Sequence, residues 1–201
     1  MPIPPDNRDL HGNTPDQAPA VLIVLDLLSR FDFENGASFL KGAREIAPRI
    51  AALKARMKTA GLPTIYANDN VGRWRSDEQA VLRHALAKGS KGAAIARLLR
   101  PEPDDYLVLK PRHSAFYATP LHTLLDYMGA RRLVLTGIAA DVCVLFTALD
   151  GYVRDFEIVI PEDCVAALSP THRDEALRYA RRVLHADTTP STELDLATLV
   201  K

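Results

Sequence analysis

Six apolar residues in a row, Ala20-Val21-Leu22-Ile23-Val24-Leu25, stop at a carboxylate, Asp26. Such a run has no polar face to offer to water. As a strand it must be covered on both sides, which is the position of a central strand in a parallel sheet. Strand-like segments recur at residues 64–67, 106–109, 132–136 and 157–160, with a weaker one at 182–185. Between them lie helical patterns. The first, at 39–60, places Ile46, Ile50, Leu53 and Met57 three or four apart and stops at Gly61 and Pro63. Others follow at 80–99, 120–128, 141–154 and 171–181. The alternation predicts an α/β protein with three layers, α/β/α, around an open, mostly parallel, six-stranded sheet. Residues 1–19 carry five prolines and little apolar surface. They are expected to form an irregular arm, with residues 20–201 as one domain.

Composition excludes several classes. Lysine and arginine total 25, and so do aspartate and glutamate, for a formal charge of zero. A nucleic-acid partner normally draws a basic surplus, so none is expected. Two cysteines are too few for a disulfide scaffold or a four-cysteine zinc site. No apolar run approaches the roughly 20 residues of a membrane span, and no signal peptide pattern opens the chain. A cytoplasmic protein without a membrane partner is expected.

In an open α/β sheet, ligands bind beyond the carboxyl ends of the strands, at a switch in strand order. Asp26, Lys110 and Cys143 fall at or just after three such ends. Asp26, directly after a buried strand, needs a cation, a hydrogen-bond network or a proton to accept; it is equally compatible with a plain turn. Lys110 precedes Pro111, which ends the ladder; it is either a solvated strand end or a partner for Asp26. Cys143 follows Asp141, a residue suited to cap a helix. That places the thiol in a first helical turn, where unpaired amides favour a thiolate. The alternative is a buried structural cysteine. Cys164 is expected to be a small buried hydrophobe. The stretch Gly89-Ser90-Lys91-Gly92 lacks the phosphate-loop pattern and is expected to be a turn.

Three blocks together resemble the isochorismatase-like cysteine hydrolases. They are Val21-Leu22-Ile23-Val24-Leu25-Asp26 with Phe31 downstream, Val108-Leu109-Lys110-Pro111-Arg112-His113-Ser114-Ala115-Phe116, and Leu135-Thr136-Gly137-Ile138-Ala139-Ala140-Asp141-Val142-Cys143-Val144. The resemblance runs from Ala20 to Thr189. It implies a Rossmann-like hydrolase domain and a catalytic triad of Asp26, Lys110 and Cys143. It further implies a non-proline cis peptide between Ile138 and Ala139, with the Ala139 and Cys143 amides as an oxyanion hole. A homodimer or homotetramer is implied as well.

Two departures stand out. Ser29-Arg30 replaces the asparagine-aspartate pair usual before the phenylalanine. The nicotinamidase branch has an aspartate-x-histidine metal site after the second strand, where this chain has Asn68-Asp69-Asn70-Val71-Gly72-Arg73-Trp74. With no histidine there, no metal and no other cofactor is expected. Phe31, Trp74 and Phe116 are candidate walls for a small-molecule substrate, and Asn68 and Ser114 candidate polar contacts; core packing is the alternative for each aromatic. The expected activity is metal-independent hydrolysis of a C–N, amide-type bond through a thioester. Vinyl ether hydrolysis of the isochorismatase type and a catalytically silent binding or scaffold protein are the alternatives.

Overall fold

The computed structural model describes residues 17–70 and 76–200. Six strands form one sheet: β1 (Ala20–Leu25), β2 (Thr64–Asp69), β3 (Tyr106–Lys110), β4 (Arg132–Ile138), β5 (Glu157–Val159) and β6 (Val165–Ala166). Every pairing is parallel. The order is β3-β2-β1-β4-β5, with β6 also paired to β4. β5 takes the first half of β4, at Arg132 to Val134, and β6 the second, at Gly137 and Ile138.

The sixth strand differs from expectation. Residues 182–185 are not a strand. Arg182 and Val183 end a helix, and His185 has φ of 53°. The strand at 165–166 has only two residues, too few to show a period in sequence.

Helices cover both faces. On one lie α1 (Gly36–Thr59), α2 (Glu78–Leu86) and α3 (Ala93–Leu98); on the other lie α4 (Leu121–Met128), α5 (Leu145–Tyr152) and α6 (Pro170–Val183). A short α7 (Leu196–Leu199) follows. The expected helix at 80–99 is two helices, broken by the turn containing Gly89 and Gly92. Alternate residues of β1 feed the two cores. Leu22 and Val24 face the α1 side, while Val21, Ile23 and Leu25 face the α5 side. All six are buried, as an apolar run without a polar period requires. No described helix is long and apolar enough to cross a membrane.

Strand order reverses between β1 and β4: β2 and β3 extend to one side of β1, β5 to the other side of β4. The carboxyl ends of β1 and β4 therefore border the crevice where such sheets bind ligands. Asp26 leaves β1 there, and the Cys143 turn leaves β4 there.

Candidate active site

Asp26 follows β1 in the left-handed region, φ 56°, a conformation that aspartate tolerates better than most residues. Its amide still donates to the Ala67 carbonyl (3.1 Å), so the backbone turns while anchored to β2. Its Oδ1 accepts from the Asp69 amide at 2.7 Å. Its Oδ2 forms an ion pair with Lys110 Nζ at 2.7 Å.

Lys110 ends β3, two strands from β1, and its long stem reaches back to the crevice. It is 1% exposed. Nζ donates to the Arg112 carbonyl (3.2 Å) and to Cys143 Sγ (3.4 Å). The structure thus brings the three residues together around one ammonium, although 117 positions separate Asp26 from Cys143.

Cys143 lies in a π-turn, Ala140–Val144, that runs into α5. The peptide before the turn, Ile138–Ala139, is cis. The Ala139 carbonyl accepts from the Val142 and Val144 amides, both at 3.0 Å, and steps over that of Cys143. Asp141 does not cap this turn. The cap position is Ala139, no side chain caps it, and Asp141 Oδ1 is buried without a hydrogen-bond partner. π-turns inside helices are frequently found at functional sites. Gly137, at φ 111°, allows the close approach of β4 to β1: a Cβ there would lie 2.1 Å from the Leu25 carbonyl oxygen.

Electrostatics correct one expectation. Burial pushes the Cys143 thiol up to about 12, the neighbouring Asp26 carboxylate adds to the rise, and Lys110 pulls against both. Lost solvation and a nearby negative charge both favour the protonated thiol. Burial also raises Asp26 above the ordinary carboxylate range, with Lys110 opposing. For Lys110, burial works against the charge, but Asp26 and then Cys143 outweigh it and the ammonium is held above its usual value. A more basic carboxylate thus faces a thiol that is harder to ionise.

The expected substrate contacts are placed as follows. Asn68 is 4% exposed, and its amide staples the loop after β1. Oδ1 accepts from the Leu28 amide (3.1 Å), and Nδ2 donates to the carbonyls of Leu28 (3.3 Å) and Asp69 (3.2 Å). Ser114 Oγ accepts from the Phe116 amide at 3.1 Å. Phe31 and Phe116 are buried in the cores on opposite faces of the sheet. Trp74 lies outside the described residues. His113 stands edge-on to the exposed Phe146 ring, 5.5 Å between centroids. Cys164 is a free, fully buried thiol, also pushed by burial up to about 12. No described group of His, Cys, Asp and Glu is arranged to hold a metal ion. Residues 71–75 contain none of these types, so the segment after β2 does not fit a metal. Sequence reasoning missed Thr147, whose hydroxyl bridges Cys143 and Ala115; its one trace in the sequence is its spacing, four residues after the cysteine.

A family model, the isochorismatase domain, matches residues 20–191. The chain belongs to the isochorismatase family. It is 37% identical over 178 residues to the uncharacterized isochorismatase family protein YaaI of Bacillus subtilis, covering 89% of this chain and 97% of that one. It is 33% identical over 189 residues to the ureidoacrylate amidohydrolase RutB of Methylorubrum extorquens, covering 81% and 76%. Among solved structures, the N-carbamoylsarcosine amidase of Thermoplasma acidophilum superposes with a TM-score of 0.68 at 29% identity, over 88% of this chain and 98% of that one. Amidohydrolases are thus among its relatives in the isochorismatase family.

Proposed function

We propose that this isochorismatase family member is a cysteine-dependent amidohydrolase that cleaves a C–N bond of a small molecule through a thioester, without a metal. One observation carries the reading: a buried lysine lies 2.7 Å from the Asp26 carboxylate and 3.4 Å from the Cys143 sulfur, at the switch point of the sheet. The amidohydrolases among its relatives support the bond type.

Asp26 takes the proton from Cys143 as sulfur attacks the carbonyl carbon. The carbonyl π pair moves to oxygen, and the Ala139 and Cys143 amides receive that oxyanion; donors of this kind are worth about 100- to 1000-fold in rate. The intermediate collapses, the C–N bond breaks, and Asp26 returns the proton to the leaving nitrogen. A thioester remains. Water then gives a proton to Asp26 as its oxygen adds to the carbonyl. Collapse releases the carboxylic acid and the thiolate, which recovers its proton. Lys110 holds a positive charge beside sulfur throughout, and splitting one barrier into two is the purpose of the covalent step.

The test is intact-mass spectrometry after incubation with a panel of carboxamides, ureido and carbamoyl compounds. The reading expects a transient acyl adduct on Cys143 and ammonia or amine release, both abolished in Cys143→Ala. Hydrolysis at an undiminished rate in Cys143→Ala would overturn it.

A further inference from the structure

We propose that Thr147 is a positioning residue that sets the Cys143 nucleophile against Lys110. The inference rests on Cys143 being the nucleophile and adds a determinant outside the triad. Thr147 is fully buried on α5. Its Oγ1 donates to the Cys143 carbonyl at 2.7 Å and accepts from the Ala115 amide at 3.0 Å. A hydroxyl has one proton to donate, so the bond to Cys143 fixes the rotor and aims a lone pair at Ala115.

The same loop is held from its other end. Lys110 Nζ donates both to the Arg112 carbonyl and to Cys143 Sγ. Cys143 therefore closes a circuit. Its sulfur is tied through Lys110 to Arg112, its carbonyl is tied through Thr147 to Ala115, and only the chain from 112 to 115 lies between. The hydrogen bonds of Thr147 go to neither Asp26 nor the thiol. It acts on the distance between sulfur and ammonium by fixing the turn on which the sulfur rides. A threonine hydroxyl bonded to the carbonyl four residues back bends the helix at that carbonyl, which here belongs to the π-turn.

Thr147→Val keeps the shape and removes the donor and the acceptor; Thr147→Ser keeps both. Two readouts are compared. One is kcat and KM on whichever panel compound is turned over. The other needs no substrate: the pH dependence of Cys143 alkylation by iodoacetamide, followed by peptide mass. In the valine variant kcat falls about 10- to 100-fold with KM within about threefold, the scale of a misplaced reacting group. Its thiol titrates at higher pH, and alkylation at a fixed alkaline pH drops about 3- to 10-fold. The serine variant stays within about threefold of the parent in both. The proposal is overturned if the valine variant matches the parent in kcat and titration, or if serine loses as much as valine. Should the valine variant fail to fold, Thr147→Ala undergoes the same comparison with the same thresholds. Cys143→Ala separates the two levels. If it still hydrolyses, the nucleophile reading has failed; if it is inactive while Thr147→Val is unaffected, only the positioning role has.

Discussion

At the residue scale the proposed triad is a balance between one buried ammonium and two partly buried groups, and each partner's removal moves the others in a defined direction. Asp26 raises the Cys143 thiol by its charge and its contact. Asp26→Asn therefore lowers the pH at which iodoacetamide labels Cys143, while hydrolysis falls about 10²–10⁴-fold for want of a base. A nucleophile that ionises more readily in a dead enzyme separates the base role from simple thiolate stabilisation. Lys110 lowers Asp26 and lowers the thiol. Lys110→Met thus moves the acid limb of kcat/KM to higher pH and slows labelling at every alkaline pH. With Asp26 as the base, the parent's acid limb is expected above 3.8, because burial raises that carboxyl; activity is then lost as pH falls through the raised value. A limb at or below 3.8 in a pH–rate profile would contradict the assignment.

At the scale of elements, the parts legible in sequence were those dictated by burial alone. β1 is a continuous apolar run and β4 is buried from Leu133 to Ile138, and a strand without an exposed polar face admits one position in a sheet. Their carboxyl ends then brought Asp26 and Cys143 to the same edge, and the block around Lys110 supplied the third member. The illegible parts depend on contacts made only after folding. β6 exists because two residues meet the upper half of β4. Asp141 fails as a cap because the Ala139 carbonyl takes two amides and starts the turn earlier. Asn68 has the chemistry of a substrate contact, but its three polar bonds go to the backbone of Leu28 and Asp69. Asn68→Ala leaves the Leu28 amide without its acceptor, at a cost of about 1–3 kcal/mol in urea unfolding. It also loosens the loop that follows the base. Gly137→Ala is harsher, since its Cβ meets the backbone of Leu25, beside Asp26. Either β1 and β4 separate or the residue leaves its φ, and both destabilise the fold and remove activity together.

At the scale of the whole molecule, a second buried ion pair ties α1 to the start of β3. Lys54 on α1 meets Asp105, just before β3, at 2.5 Å, and both side chains are less than a tenth exposed. Removing one charge strands the other, so Lys54→Met costs about 3–5 kcal/mol at neutral pH. Burial raises Asp105 above 3.8, with Lys54 opposing. A carboxyl raised on folding favours the folded state below its unfolded value, and that gain is lost as pH climbs through the folded value. Without Lys54 the folded value rises further. The deficit of Lys54→Met is therefore smaller near pH 4 than at pH 7, and urea midpoints at the two pH values measure the difference.

The division of β4 between two short strands also bears on how the molecule meets its neighbours. β5 has three residues and β6 two, with a 3-10 turn between them. Beside β5, Asp187 already exchanges backbone bonds with Ile158 and Ile160. An extended foreign peptide seeking a ladder on this flank finds donors and acceptors already engaged, a bend after three residues, and a carboxylate at the point of contact. Short, interrupted, charged margins of this kind discourage edge-to-edge association. The interruption that hid the sixth strand in the sequence thus also guards that margin of the sheet against strand-by-strand growth.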